Sequence, residues 1–194
     1  MLQYQYQRLI GNEIRLLHLE PGSPGDTLKC KLQHVSSASS VSYETISYCW
    51  GDTTRFYTIE AEGIDLAVPR GTADALLRFR DPDKVRTLWI DAVCINQDDE
   101  VERGTQIAQM HTIYACGTRN LIWIGEDDGT VADAIRVLNQ VVEEIEDATE
   151  SFRKFPMPGD ADYYIHNRSG LRLEIDLEPL LSLCSRPWFG RLWV

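Results

Sequence analysis

The residues best equipped for chemistry are acidic ones at the ends of apolar runs. In "LWIDAVCINQ", Leu88 to Gln97, a strand-like Leu-Trp-Ile run stops at Asp91 and is followed by Cys94, Asn96 and Gln97. A carboxylate at the carboxyl end of a parallel strand either caps a turn or belongs to a ligand site. Asp52 stands in the same relation to a second apolar run, "ISYCWG". Two carboxylates in one cleft could stabilise positive charge on a bound ligand. We expect Asp52 and Asp91 at the ends of neighbouring parallel strands, lining one cleft, with Ser47 to Gly51 along its wall.

Other polar residues near this run have two readings each. Asn96 and Gln97 can hydrogen-bond the polar edge of a ligand, or tie down the loop into the next helix. Glu102, a third candidate carboxylate, and Arg103 open that helix, where the dipole favours the acid and the arginine can pair with Asp98 or Asp99. Cys94 and His111 could form a nucleophile and base, but a cysteine among Ala, Val and Ile reads better as core. "DDE" at Asp98 to Glu100 lacks the ligand spacing and glycine of a calcium loop, and no Cys-x-x-Cys spacing suggests zinc. No metal or bound cofactor is expected. Trp50 and Trp188 lie beside polar residues, where an indole face could stack on a flat ligand ring.

These residues need a scaffold. "IRLLHLEPGSPGDTLKCKLQHV" reads as strands Ile14 to Leu19 and Leu28 to Val35 around a Pro/Gly turn. "YETISYCWGD" alternates as a strand, and "RFYTIEAEGIDLAVP" reads as a hairpin. "GTADALLRFR" is helical up to Pro82, and "TLWIDAV" is apolar on both faces, like a central parallel strand. Asp99 and Glu102 resemble a capping box before a helix whose stripe is Ile107, Met110 and Tyr114, closed by Gly117. "NLIWIGE" is a further strand, and Thr130 caps a helix carrying Ile135, Leu138, Val142 and Ile145. Residues 148–176 show no sustained period and read as an inserted loop.

The order predicts an α/β domain over residues 1–194: a mainly parallel central sheet flanked by helices, with an antiparallel β-hairpin extension in residues 1–42. Ile90, Ile107, Met110, Tyr114, Leu121, Ile122 and Ile124 are expected in the core, so that Ile122→Asp unfolds the domain.

Bulk properties narrow the function. The 194 residues, 43% hydrophobic and 25% charged, suit a soluble globular chain. A net charge of -11, from 30 acidic and 19 basic residues, argues against nucleic-acid binding while leaving room for a local basic patch. No signal peptide or membrane-spanning run is legible, so a cytoplasmic location without stable membrane insertion is expected. The five scattered cysteines suggest neither a disulfide framework nor a metal knuckle.

Three segments in order, "YETISYCWGD", "LWIDAVCINQDDEVERGTQIAQMHTIYACGTRNLIWIGE" and "RPWFGRLWV", resemble the fungal heterokaryon incompatibility (HET) domain. The resemblance implies a part in regulated cell death after incompatible fungal cells fuse, and a fold similar to the Toll/interleukin-1 receptor (TIR) or flavodoxin type. Some TIR domains assemble into scaffolds; others cleave NAD using a glutamate. The TIR comparison makes a glutamate just after the last segment the counterpart of the catalytic one; within the chain, Asp91, Asp52 and Glu102 are the candidate catalytic residues, a carboxylate stabilising the ribosyl centre as nicotinamide leaves. Ser47, Tyr48, Trp50, Gly51, Asn96, Gln97, Trp188 and Arg191 are the candidates for holding NAD as substrate. The alternative is a non-enzymatic death-signalling module acting by self-association or with other death-signalling proteins. A Walker or dinucleotide glycine loop is missing from the sequence, so loop amides and side chains would have to hold any nucleotide. The apolar end Leu192, Trp193, Val194 suggests a chain cut within a helix, before the Gln-Glu pair that follows this segment in the resembling family; the truncated chain is then expected to turn over little NAD.

Overall fold

The computed structural model describes residues 3–52, 54–153 and 176–191. It divides into two compact units, Met1–Gly125 and Glu126–Val194. The first contains β1 (Ile14–Leu19), β2 (Lys29–Val35), a 3-10 turn (Ala38–Ser40), β3 (Glu44–Tyr48), β4 (Phe56–Ala61), β5 (Ile64–Pro69), α1 (Arg70–Phe79), β6 (Arg86–Trp89), α2 (Asp91–Cys94), α3 (Glu100–Cys116) and β7 (Arg119–Trp123). The second contains α4 (Val131–Arg153), α5 (Glu178–Cys184) and a 3-10 turn at Pro187–Gly190.

The seven strands form one sheet in the order β5-β4-β2-β1-β6-β3-β7. Only β6, β3 and β7 make the contiguous parallel part, with Glu44 beside Leu88 on one side and Arg119 on the other. The strand β1 runs antiparallel to both β2 and β6, β2 pairs in parallel with β4, and β4 and β5 form an antiparallel hairpin. The fold is thus α/β with a mixed sheet flanked by helices. This corrects the mainly parallel expectation: β1 and β2 occupy the middle of the sheet, because β1 is apolar on both faces and belongs where both are covered. Ile14, Leu16, Leu17 and Leu19 are all buried.

Local chemistry explains the elements. Glu62 and Gly63, with φ of 54° and 80°, close the β4–β5 hairpin as a two-residue turn whose twist matches its strands. Asp99 caps α3 by accepting from the backbone N–H groups of Val101 and Glu102, both at 3.0 Å. Alternation along β3 sends successive side chains to opposite faces. Tyr48 bonds Thr72 of α1 on one face, and Tyr43 bonds the Ile113 carbonyl of α3 on the other. The helices α1 and α3 therefore cover opposite faces of β3. Gly117, the C-cap of α3, has an ordinary φ of -63°; glycine suits this position because a Cβ would lie 3.0 Å from the Thr45 methyl.

Two core expectations need correction. Ile107 is 56% exposed and Ile122 48% exposed, because α3 buries Glu102, Gln106 and Ile113 instead, and β7 lies at the edge of the sheet. Ile90 is fully buried, while Met110, Tyr114, Leu121 and Ile124 are half-buried. The expected loop from residue 148 is also revised, since α4 continues to Arg153; residues 154–175 lie outside the described residues, as do Leu192, Trp193 and Val194.

Candidate functional site

The residues from the first two motifs meet beyond the carboxyl ends of β3 and β6. Tyr48, the last residue of β3, is buried, and its hydroxyl lies 2.7 Å from Thr72 Oγ1. The chain then passes over α1 so closely that a Cβ on Gly71 would stand 2.6 Å from the Cys49 carbonyl oxygen and 2.7 Å from that of Trp50. That approach delivers the Trp50 indole to Asp91: Nε1 donates to both carboxylate oxygens at 3.1 Å. Burial, reinforced by the neighbouring Asp91 charge and a hydrogen bond to Asp91, pushes the Tyr48 hydroxyl well above the ordinary tyrosine range. It therefore stays protonated and serves as a donor. Asp91 also accepts from its neighbour Ala92 N–H at 2.7 Å. Tyr48, Trp50 and Asp91 form one polar cluster linking two neighbouring parallel strands.

The loop after Asp91 is tied down residue by residue. Gln97 Nε2 donates to the Asp91 carbonyl at 2.9 Å, and Arg103 Nη1 donates to the Gln97 carbonyl at 2.6 Å. Asn96 accepts from the Asp98 N–H through its side chain, while its own N–H donates to Glu102 Oε1 at 2.6 Å. Both side chains thus act on the loop. Arg103 lies 3.9 Å from Glu100 rather than pairing with Asp98 or Asp99.

Glu102 does not close a capping box. Its carboxylate accepts from Arg15 Nη1 at 2.8 Å and Nη2 at 3.2 Å, and both side chains are buried. Arg15 also donates to the Cys94 carbonyl at 2.8 Å and the Gln7 carbonyl at 2.7 Å, with Tyr6 stacked 4.8 Å from its guanidinium carbon. One arginine thereby joins the amino-terminal segment, β1, α2 and α3. Sequence reading missed it, although a signal existed: Arg15 shares a strand face with Leu17 and Leu19, and a charge on a buried face requires a partner.

Asp52 stands apart in its bonding. It is exposed, accepts from the Thr54 N–H at 2.9 Å and hydroxyl at 2.6 Å, and lies 3.5 Å from Arg55. Those Thr54 bonds, the hydroxyl's first, hold its carboxyl below the ordinary value. Gly51, with φ of 70°, makes the turn that leads to it. Ser47 is half-buried on β3, on the face opposite Tyr48. Cys94 is fully buried, its thiol pushed to about 12 chiefly by desolvation, whereas His111 is exposed against Thr112; this arrangement suits a core cysteine. In the second unit, Trp188 packs edge to face on Phe189 at 5.1 Å, and the Arg191 N–H donates to the Trp188 carbonyl. Among the described residues no group of three or more His, Cys, Asp or Glu is arranged to hold a metal ion, and no helix is long and apolar enough to cross a membrane.

Residues 43–194 match the family described as Heterokaryon incompatibility protein (HET). The chain belongs to the HET family. The match includes the Tyr48–Trp50–Asp91 cluster and leaves out β1 and β2, so the Arg15 half of the buried ion pair lies before the matched HET residues. The domain is also similar to Heterokaryon incompatibility protein 6, OR allele, of Neurospora crassa, with 30% identity over 209 residues. That alignment covers 93% of this chain and 31% of the Neurospora protein, so the chain spans about a third of the curated relative's length. No solved structure gives a match.

Proposed function

We propose that this chain is the effector domain of a fungal heterokaryon-incompatibility protein, and that it signals cell death by associating with a second copy of itself. The observation that carries this reading is the stripe on α4: Ile135, Leu138, Val142 and Ile145 are each 43–50% exposed. Their spacing of three, four and three residues is that of a two-helix seam. Antiparallel pairing about Gln140 would set Ile135 against Ile145 and Leu138 against Val142, with Arg136 at the level of Glu144, which makes the surface self-complementary about a two-fold axis.

NAD hydrolysis is the second reading, supported by the Tyr48–Trp50–Asp91 cluster at the strand ends. In that reading Asp91 stabilises positive charge developing on the ribose as nicotinamide leaves, and Trp50 orients the carboxylate. The structural commitments of the three candidate acids favour association: Glu102 is bound by Arg15, Asp52 by its own turn, and Asp91 by the Trp50 indole. Purified chain, followed for both NAD loss and molar mass, separates the readings. Association gives a mass that rises with concentration and falls to monomer in Leu138→Glu. NAD loss that disappears in Asp91→Asn, from a protein monomeric throughout, overturns it.

A further inference from the structure

We propose that the cleft at the amino ends of β6, β3 and β7 binds a small phosphate-bearing ligand. The cleft measures about 470 Å³, a size that accommodates a small metabolite. Its walls carry Lys84, Arg86 and Arg119 against Glu44 and Asp81, a local excess of positive charge in a chain whose net charge is -11.

Glu44 is held by both arginines, and Asp81 uses one oxygen on its own turn. Glu44 is 14% exposed in its side chain and accepts from Arg86 Nε at 2.9 Å and Arg119 Nε at 2.7 Å, with further bonds from each guanidinium. Asp81 accepts through Oδ1 from the backbone N–H groups of Asp83 and Lys84, both at 2.9 Å. Arg86 is further fixed by its bond to the Phe79 carbonyl. The donors on the rim are not used up. Among the described residues the Lys84 ammonium has no ion-pair partner within 4 Å, although its charge acts on Asp81, and the 70%-exposed Arg119 side chain bonds Glu44 through Nε and Nη2, leaving Nη1. Ser42 lines the same cleft. Spare cationic donors are what a phosphate with several acceptor oxygens requires.

This cleft is separate from the Asp91 cluster. Each parallel strand runs away from it, β6 starting at Arg86 and reaching Trp89 just before Asp91, so the two lie at opposite ends of the strands. The inference therefore stands whether or not the domain associates or cleaves NAD.

A phosphate could come from a soluble metabolite or a phosphorylated lipid headgroup. The test titrates the purified chain with inorganic pyrophosphate by calorimetry at low salt, and in parallel with vesicles containing a phosphorylated inositol lipid. Lys84→Ala and Arg119→Ala should each weaken binding by about tenfold, the loss of one charge-assisted contact. Arg70→Ala, which removes an exposed arginine paired with Asp74, and Asp91→Asn should leave it unchanged. Thermal melting confirms that each variant is folded, and Lys84→Ala alone suffices if Arg119→Ala is not. Lys84-dependent binding of pyrophosphate assigns a soluble ligand, and Lys84-dependent binding of vesicles alone assigns a lipid. Binding of neither probe, or equal binding by wild type and Lys84→Ala, overturns the proposal.

Discussion

A carboxylate's partners decide whether it can act on a ligand or only on the chain. Glu102 belongs to the chain: with Arg15 it forms a buried pair completed by bonds to Cys94, Gln7 and Asn96. Removing one member leaves the other charged and unpaired, so Arg15→Met should cost about 3–5 kcal/mol in urea unfolding. Glu102→Gln, which keeps the shape and part of the bonding, should cost less. Glu44 gives a pH signature. Burial alone would raise its carboxyl, but the hydrogen bonds and charges of Arg86 and Arg119 outweigh that and hold it below the ordinary 4.5. Its contribution to stability is present above pH 4.5 and is lost as pH falls through the lower folded value. The stability gap between wild type and Glu44→Gln should accordingly shrink on acidification below that point; a gap that widens would contradict the assignment. The Tyr48–Trp50–Asp91 cluster was half legible in the sequence. Asp91 stood out as a polar stop after an apolar run, but its indole partner lies 41 residues away in the chain and only the sheet order brings them together.

Elements were legible where local chemistry dictates them. The β3 and hairpin runs follow from alternation, β1 from its apolar run beside the Pro/Gly turn, α1 ends before Pro82, and Asp99 caps α3. Packing was less legible, because it depends on which strands become neighbours. Insertion of β1 between β2 and β6 turned an expected extension into the middle of the sheet, and its Arg15 drew Glu102 and with it the buried face of α3. Gln106 follows on that face, donating to the Glu13 carbonyl at 2.9 Å, which leaves Ile107 outside. Burial now ranks mutations differently from periodicity. Ile46, fully buried in β3, should cost about 2–5 kcal/mol when changed to Ala, whereas Ile122→Ala on the exposed side of β7 should cost well under half as much. Equal losses in denaturant titrations would contradict the placement of β7. Gly71→Ala should push the Cys49–Trp50 backbone outward, because a Cβ there lies only 2.6 Å from a carbonyl oxygen. Loss of the Trp50 indole N–H shift in an NMR spectrum, with the fold retained, is the expected readout.

For the molecule as a whole, the family match and the α4 surface are separate observations. The HET match covers 152 of the 194 residues, 43–194. The long α4 helix carries an apolar seam on its exposed side, of a kind that a folded domain usually covers. Association through that seam is the central claim. Sedimentation velocity of the wild-type chain beside Leu138→Glu tests it most directly. We expect a concentration-dependent dimer for the wild type and a monomer of unchanged fold for the variant. A wild-type chain that stays monomeric throughout, or a variant that associates as tightly as wild type, would contradict it.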